Sequence, residues 1–109
     1  MSAPLPPGEG FGGTPEAAGR AVSLLKALSH EGRLQILCLL LEQDLSVGEI
    51  ASVLEMPQSS ISQQLMRLRA QGIVKPMRSG KSVFYRLVSQ QVRSVVSMLR
   101  ENFCTDQPS

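Results

Sequence analysis

Between Ser46 and Leu87 the chain carries two short helical patterns parted by a proline, then a glycine turn between two β-prone runs, an order that few folds accommodate. Ser46 with Glu49 three residues on forms a capping box and starts a helix over about Val47–Leu54. Met56-Pro57 ends it, because the residue before proline avoids the helical region. The next helix, about Gln58–Gln71, is marked by Ile61, Leu65, Leu68 and then Ile73 on one side, and Gly72 stops it. Ile73–Arg78 and Ser82–Leu87 then flank Ser79-Gly80-Lys81, a hairpin turn. In the second run Val83, Tyr85 and Leu87 alternate inward. Pro76 has no N–H to give, so its position must be unpaired or at an edge. Helix, turn, helix, hairpin is the plan of a winged helix-turn-helix.

The flanking segments extend that plan. Thr14-Pro15 reads as an N-cap followed by proline at the first helical position. A first helix over about Pro15–Leu28 places Ala18, Ala21, Val22, Leu25 and Leu28 on one face. Ser29 is expected to cap a second helix, about His30–Glu42. Its run Ile36-Leu37-Cys38-Leu39-Leu40-Leu41 is apolar all round and suits a central buried position. A last helix, about Ser89–Phe103, carries Val92, Val95, Val96, Leu99 and Phe103 at helical spacing. The expected fold is mainly α with a small β-hairpin, in the order ααααββα. In a chain of 109 residues the first and last helices lack obvious partners for their stripes, and a second copy would supply them, giving a homodimer. The expected organisation is a flexible Pro/Gly-rich tail over 1–14, one winged-helix domain for DNA binding and dimerisation over 15–104, and a C-terminal tail over 105–109.

Charge divides the chain. Residues 1–55 hold three basic and seven acidic side chains, a net of −4. From Met56 to Arg100 there is no acid, and there are eight bases: Arg67, Arg69, Lys75, Arg78, Lys81, Arg86, Arg93 and Arg100. The formal total of +2 conceals this. Such a block is either a solvated basic face or a polyanion footprint, and its coincidence with the helix-turn-helix pattern favours double-stranded DNA. The polar side of the Gln58–Gln71 helix offers Ser59, Ser60, Ser62, Gln63, Arg67 and Gln71. We assign Ser59, Ser60 and Gln63 to base edges, with Gln58 and Ser62 nearby, since Gln can pair bidentately with adenine. Arg67, Arg78 and Lys81 go to phosphates or the minor groove.

Other classes fit less well. No apolar run reaches the ~18–20 residues of a membrane span, and no signal peptide is evident, so a cytoplasmic protein without membrane contact is expected. There, Cys38 and Cys104 would not form a permanent structural bridge. One His and no glycine-rich phosphate loop argue against an enzyme, a cofactor or catalytic residues. A thiol peroxidase using Cys104 and a winged helix that docks protein are the competing readings. Cys38, inside an apolar run, reads on position alone first as a small core hydrophobe. Cys104, beside Asn102 and Thr105, is the more accessible thiol. Joining the two requires the second and last helices to pack together.

Several segments together resemble the ArsR family of bacterial winged-helix repressors. They are Leu25–Leu28 with Ser29-His30-Glu31-Gly32-Arg33-Leu34, Leu45-Ser46-Val47-Gly48-Glu49-Ile50, Ser59–Leu68 with Arg69-Ala70-Gln71-Gly72-Ile73-Val74, Arg78-Ser79-Gly80-Lys81, and Val83-Phe84-Tyr85-Arg86-Leu87. The resemblance spans about Val22–Cys104. It implies a homodimer through the first and last helices, Gln58–Gln71 as recognition helix, and Lys81 in the wing. The family's metal sites use Cys-x-Cys near the start of the third helix, or His and acidic ligands on the fifth. This chain has Val47-Gly48-Glu49 and Gln90, Gln91 and Arg93 there, and two Cys with one His barely furnish a ligand set, so no metal is expected. His30 suits a capping role instead. Ser62-Gln63-Gln64-Leu65 and the placing of the two cysteines resemble the sulfide- and persulfide-responsive branch (the SqrR, BigR and HlyU types). That likeness implies a repressor that binds operator DNA when reduced and loses affinity when reactive sulfur species or oxidants bridge Cys38 and Cys104 as a di- or polysulfide. An antirepressor or virulence regulator with redox-sensitive cysteines, and a metal-responsive repressor, are the alternatives it leaves.

Overall fold

The computed structural model describes residues 14–104. Helices α1 (Pro15–Leu28), α2 (Glu31–Glu42), α3 (Val47–Leu54) and α4 (Gln58–Ala70) precede strands β1 (Val74–Ser79) and β2 (Ser82–Leu87), and α5 (Gln90–Phe103) closes the order. The tails expected at 1–14 and 105–109 lie outside the described residues except Thr14, whose hydroxyl accepts from Ala17 N at 3.0 Å and caps α1.

Helix α2 is central, as its all-apolar run requires. Ile36, Leu37 and Leu40 are buried, and α1, α3, α4, α5 and β2 all pack on it. Its start differs from expectation. His30 is the N-cap, its Nδ1 accepting from Arg33 N at 3.2 Å, while Ser29 closes α1 by donating to the Lys26 carbonyl at 3.1 Å. An extended backbone at His30 (φ −146°) brings its ring over the first turn, which a serine one residue earlier cannot reach.

The capping box of α3 forms in both directions: Ser46 Oγ accepts from Glu49 N at 3.1 Å, and Glu49 accepts from Ser46 N at 2.9 Å. Helix α3 stops at Glu55, before the Met56-Pro57 step. Glu55 is left-handed (φ 55°), and the next amide, Met56 N, donates back to Ala51 O. That closure reverses the chain between α3 and α4. Helix α4 ends the same way at Gly72 (φ 74°), with Ile73 N donating to Leu68 O at 2.9 Å.

Strands β1 and β2 pair antiparallel around Gly80-Lys81, with Ser79 opposite Ser82 and Pro76 opposite Tyr85. Tyr85 turns its N–H and C=O away from Pro76, to Leu45 on the other side (2.7 and 3.2 Å), so the missing N–H of proline falls at a non-hydrogen-bonded pair. The inward alternation holds at Tyr85, packed against the core, and at buried Leu87; Val83 is half-buried. Among the described residues no helix is long and apolar enough to cross a membrane.

Candidate nucleic-acid interface and thiol pair

Helix α4 buries Ile61, Leu65 and Leu68 and presents its other side to solvent. Ser59, Ser62, Gln63 and Arg67 are exposed there, with Gln58 at the helix start. Ser60 is half-buried on the flank. Gln58 leans back on α3: a Cβ at Gly48 would stand 3.6 Å from its amide nitrogen. Met66, 64% exposed, shares the open face one turn beyond Ser62 and Gln63, a large apolar group that the polar pattern of this helix obscures. Arg78 and Lys81 are exposed on the hairpin, Lys81 in its turn.

The basic block is not uniform. Arg86 forms a bidentate pair with Asp44 (2.8 Å at its shortest), and Arg100 pairs with Glu42 at 2.7 Å. Arg93 donates to the carbonyls of Leu41 and Leu87. Arg67, Arg69, Lys75, Arg78 and Lys81 are exposed and make no ion pair among the described residues. All five lie on α4 and the hairpin, so the unpaired positive charge coincides with the face carrying the hydrogen-bonding side chains. Arg69 and Arg78 also line, with Pro76, Val83 and Tyr85, an open groove of about 310 Å³ between α4 and the hairpin. A helix end with hydroxyls and amides beside a basic hairpin can enter a major groove and reach the backbone alongside.

Gln64, adjacent in sequence to Gln63, points elsewhere. Its Oε1 accepts from Arg33 Nε at 2.8 Å, and Arg33 Nη1 donates to the Ala27 carbonyl at 3.0 Å. The sequence held a clue, since Gln64 lies three residues after Ile61 and four before Leu68, on the buried flank.

Cys38 is half-buried on α2 and Cys104 exposed at the end of α5, both unbridged. The two helices pack together, as bridging requires. Burial pushes the Cys38 thiol above its ordinary value, the nearby Cys104 thiol adds to the rise, and the Arg100 guanidinium opposes it. Arg100 therefore bears on Cys38, with its charge shared by Glu42. No group of three or more His, Cys, Asp or Glu is placed to hold a metal among the described residues.

Fold and charged face define a winged helix-turn-helix DNA-binding protein. Residues 30–75 match the model of the "bacterial regulatory protein, arsR family". The transcriptional activator HlyU of Vibrio cholerae is 46% identical over 80% of this chain and 81% of its own length. The structure of reduced HlyU from that organism superposes with a TM-score of 0.79, at 44% identity, over 83% of this chain and 95% of the other. The transcriptional repressor BigR of Xylella fastidiosa gives a TM-score of 0.77 at 39% identity over 85% and 94%. A homodimeric winged helix-turn-helix DNA-binding domain from Mycobacterium bovis gives 0.70 at 25% over 93% and 89%. The chain belongs to the arsR family of bacterial regulatory proteins, in the branch that holds HlyU and BigR, and is a transcriptional regulator rather than an enzyme.

Proposed function

We propose that the protein is a homodimeric repressor that binds operator DNA with both thiols reduced and releases it when Cys38 and Cys104 are joined. The observation carrying this reading is the register of α2 against α5. Glu42 and Arg100 meet at 2.7 Å. Cys38 precedes Glu42 by four residues and Cys104 follows Arg100 by four, so on antiparallel helices one further turn, about 6 Å, brings the thiols toward each other. Electrostatic coupling between them accords with that register.

The chemistry balances with an organic persulfide as oxidant. The exposed Cys104 thiolate takes the outer sulfur of RSSH and expels RS⁻. Cys38 then attacks the sulfur of Cys104 and expels HS⁻, leaving a disulfide. With two persulfide equivalents Cys104 is first extended to –SSSH, releasing a second RS⁻, and Cys38 attacks its middle sulfur and expels HS⁻, closing a trisulfide without passing through the disulfide. Inserted sulfur relaxes the distance limit on a direct disulfide, for which Cα atoms must lie within about 7 Å. A reducing cytoplasm keeps the free protein in its DNA-binding state.

The homodimer rests on the apolar surface of the first and last helices: Val22, Leu25, Met98 and Phe103 are large and exposed. Two-fold binding sets two α4 helices about 34 Å apart, so a bridge that shifts α2 against α5 disturbs both half-sites together. In each protomer Ser59, Ser60 and Gln63 serve base edges, with Gln58 and Ser62 nearby, and Arg67, Arg78 and Lys81 serve phosphates or the minor groove.

The test is fluorescence anisotropy on an operator selected from random duplexes, with metal absent. Glutathione persulfide should lower affinity at least about tenfold, the equivalent of ~1.4 kcal/mol. Dithiothreitol should restore it, and Cys104→Ser should abolish the response. Unchanged wild-type affinity sinks the thiol switch. A second reading, in which DNA binding activates transcription, is favoured by the 46% identity to a protein named as an activator. A reporter in a deletion strain separates the two by the sign of the change.

A further inference from the structure

We infer that Arg33 and Gln64 are positioning residues for DNA reading, fixing the rotation of α4 about its own axis through a tie to the end of α1. This rests on α4 being the reading helix. The side chains that seat α4, Ile61, Leu65 and Leu68, are aliphatic, and apolar burial carries no direction of its own. Among the described residues Gln64 is the one α4 side chain hydrogen-bonded to another element. Its partner is a guanidinium, a planar fork whose donors have fixed relative directions. A second arm of that fork is committed to the Ala27 carbonyl. Ala27 lies in the last turn of α1, where carbonyls lack helical partners. A single half-buried side chain on α2 thus satisfies the end of α1 and holds the middle of α4.

Magnitude makes this matter. Side-chain tips stand about 6 Å from a helix axis, so a 10° roll of α4 displaces Gln63 by about 1 Å. A hydrogen bond stretched by that much is no longer one. Backbone contacts made by long flexible cations on the hairpin absorb the same displacement. Loss of the tie should therefore degrade discrimination between sequences and spare affinity for DNA in general. Because α1 also carries exposed Val22 and Leu25, the tie makes the angle of the reading helix answer to the helix that faces a second copy.

The experiment compares wild type, Arg33→Lys, Gln64→Leu, the double variant and Gln64→Glu. Each is titrated against a site selected with the wild-type protein and against random duplex, with thermal midpoints recorded without DNA. Arg33→Lys and Gln64→Leu should each lower the specific-to-random affinity ratio about tenfold or more, the scale of one lost base contact. The double variant should be no worse than Gln64→Leu. Gln64→Glu, which keeps an acceptor for Arg33, should hold a ratio near wild type. If Gln64→Leu fails to fold, Gln64→Asn, which keeps the amide but falls a methylene short, takes its place with the same expectation. A lowered thermal midpoint with an unchanged ratio overturns the inference and leaves the pair a prop for the fold. A wild-type protein without site preference overturns the reading helix itself, and this inference with it.

Discussion

Glu55 carries the one left-handed backbone among the non-glycine described residues, at the turn that sets α3 against α4. Glycine adopts that region without the steric cost a Cβ brings, though it starts from a freer unfolded chain. Glu55→Gly should raise stability in urea denaturation by up to about 1 kcal/mol, the left-handed penalty of a Cβ less the extra freedom glycine has in the unfolded chain, and a loss would mean that the Glu55 side chain holds the turn by contacts of its own. The Asp44–Arg86 pair gives a pH test. The hydrogen bond from Arg86 holds the Asp44 carboxyl below its ordinary value. The stability it brings is therefore present above the unfolded carboxyl value of about 3.9 and is lost as pH falls through the lower folded value. Both side chains are partly exposed, so Asp44→Asn should cost little at pH 7 and progressively less as pH falls below the ordinary carboxylate range. A gap that persists in acid would point to packing rather than charge. At this scale the sequence was only partly legible. Gln63 and Gln64 are chemically identical and point to opposite duties. Ser29 and His30 both had capping chemistry, and backbone direction chose between them.

Elements were far more legible, because helices and hairpins announce themselves through local spacing and punctuation. The capping box, Gly72 and the Gly80 turn all act where the residue pattern put them. What stayed hidden is long-range. The Leu45–Tyr85 bridge joins positions 40 residues apart, and no local pattern encodes it. The same holds for the acids at 42 and 44 that pair with two bases of the acid-free block. The division between α4 and the hairpin is open to measurement. Gln63→Ala should lose about 1–3 kcal/mol of preference for its base while leaving random-duplex affinity intact. Lys81→Ala should weaken all duplexes alike and flatten the salt slope of a dimer by about 2, one phosphate contact per protomer. Equal effects of both changes on specific and random DNA would refute this division of labour.

For the whole molecule, the apolar stripes of α1 and α5 are half used. Leu28, Val92 and Val96 are buried within the chain, whereas Leu25 and Phe103 remain 56% and 79% exposed. Sedimentation equilibrium should give twice the chain mass for the wild type. Leu25→Glu with Phe103→Glu should give the single-chain mass, with its helix content retained by circular dichroism. A wild-type monomer at the concentrations that saturate an operator would dismiss the dimer. The Leu45–Tyr85 bridge has a kinetic consequence. A hairpin pinned on its open side to the α2–α3 connection is shaped before DNA arrives, so little chain entropy remains to be lost on docking. Encounter then approaches a rigid-body event whose speed is set by diffusion and long-range attraction. Under the thiol switch proposed above, residence time on the operator is then the quantity that chemistry at the thiols would shorten.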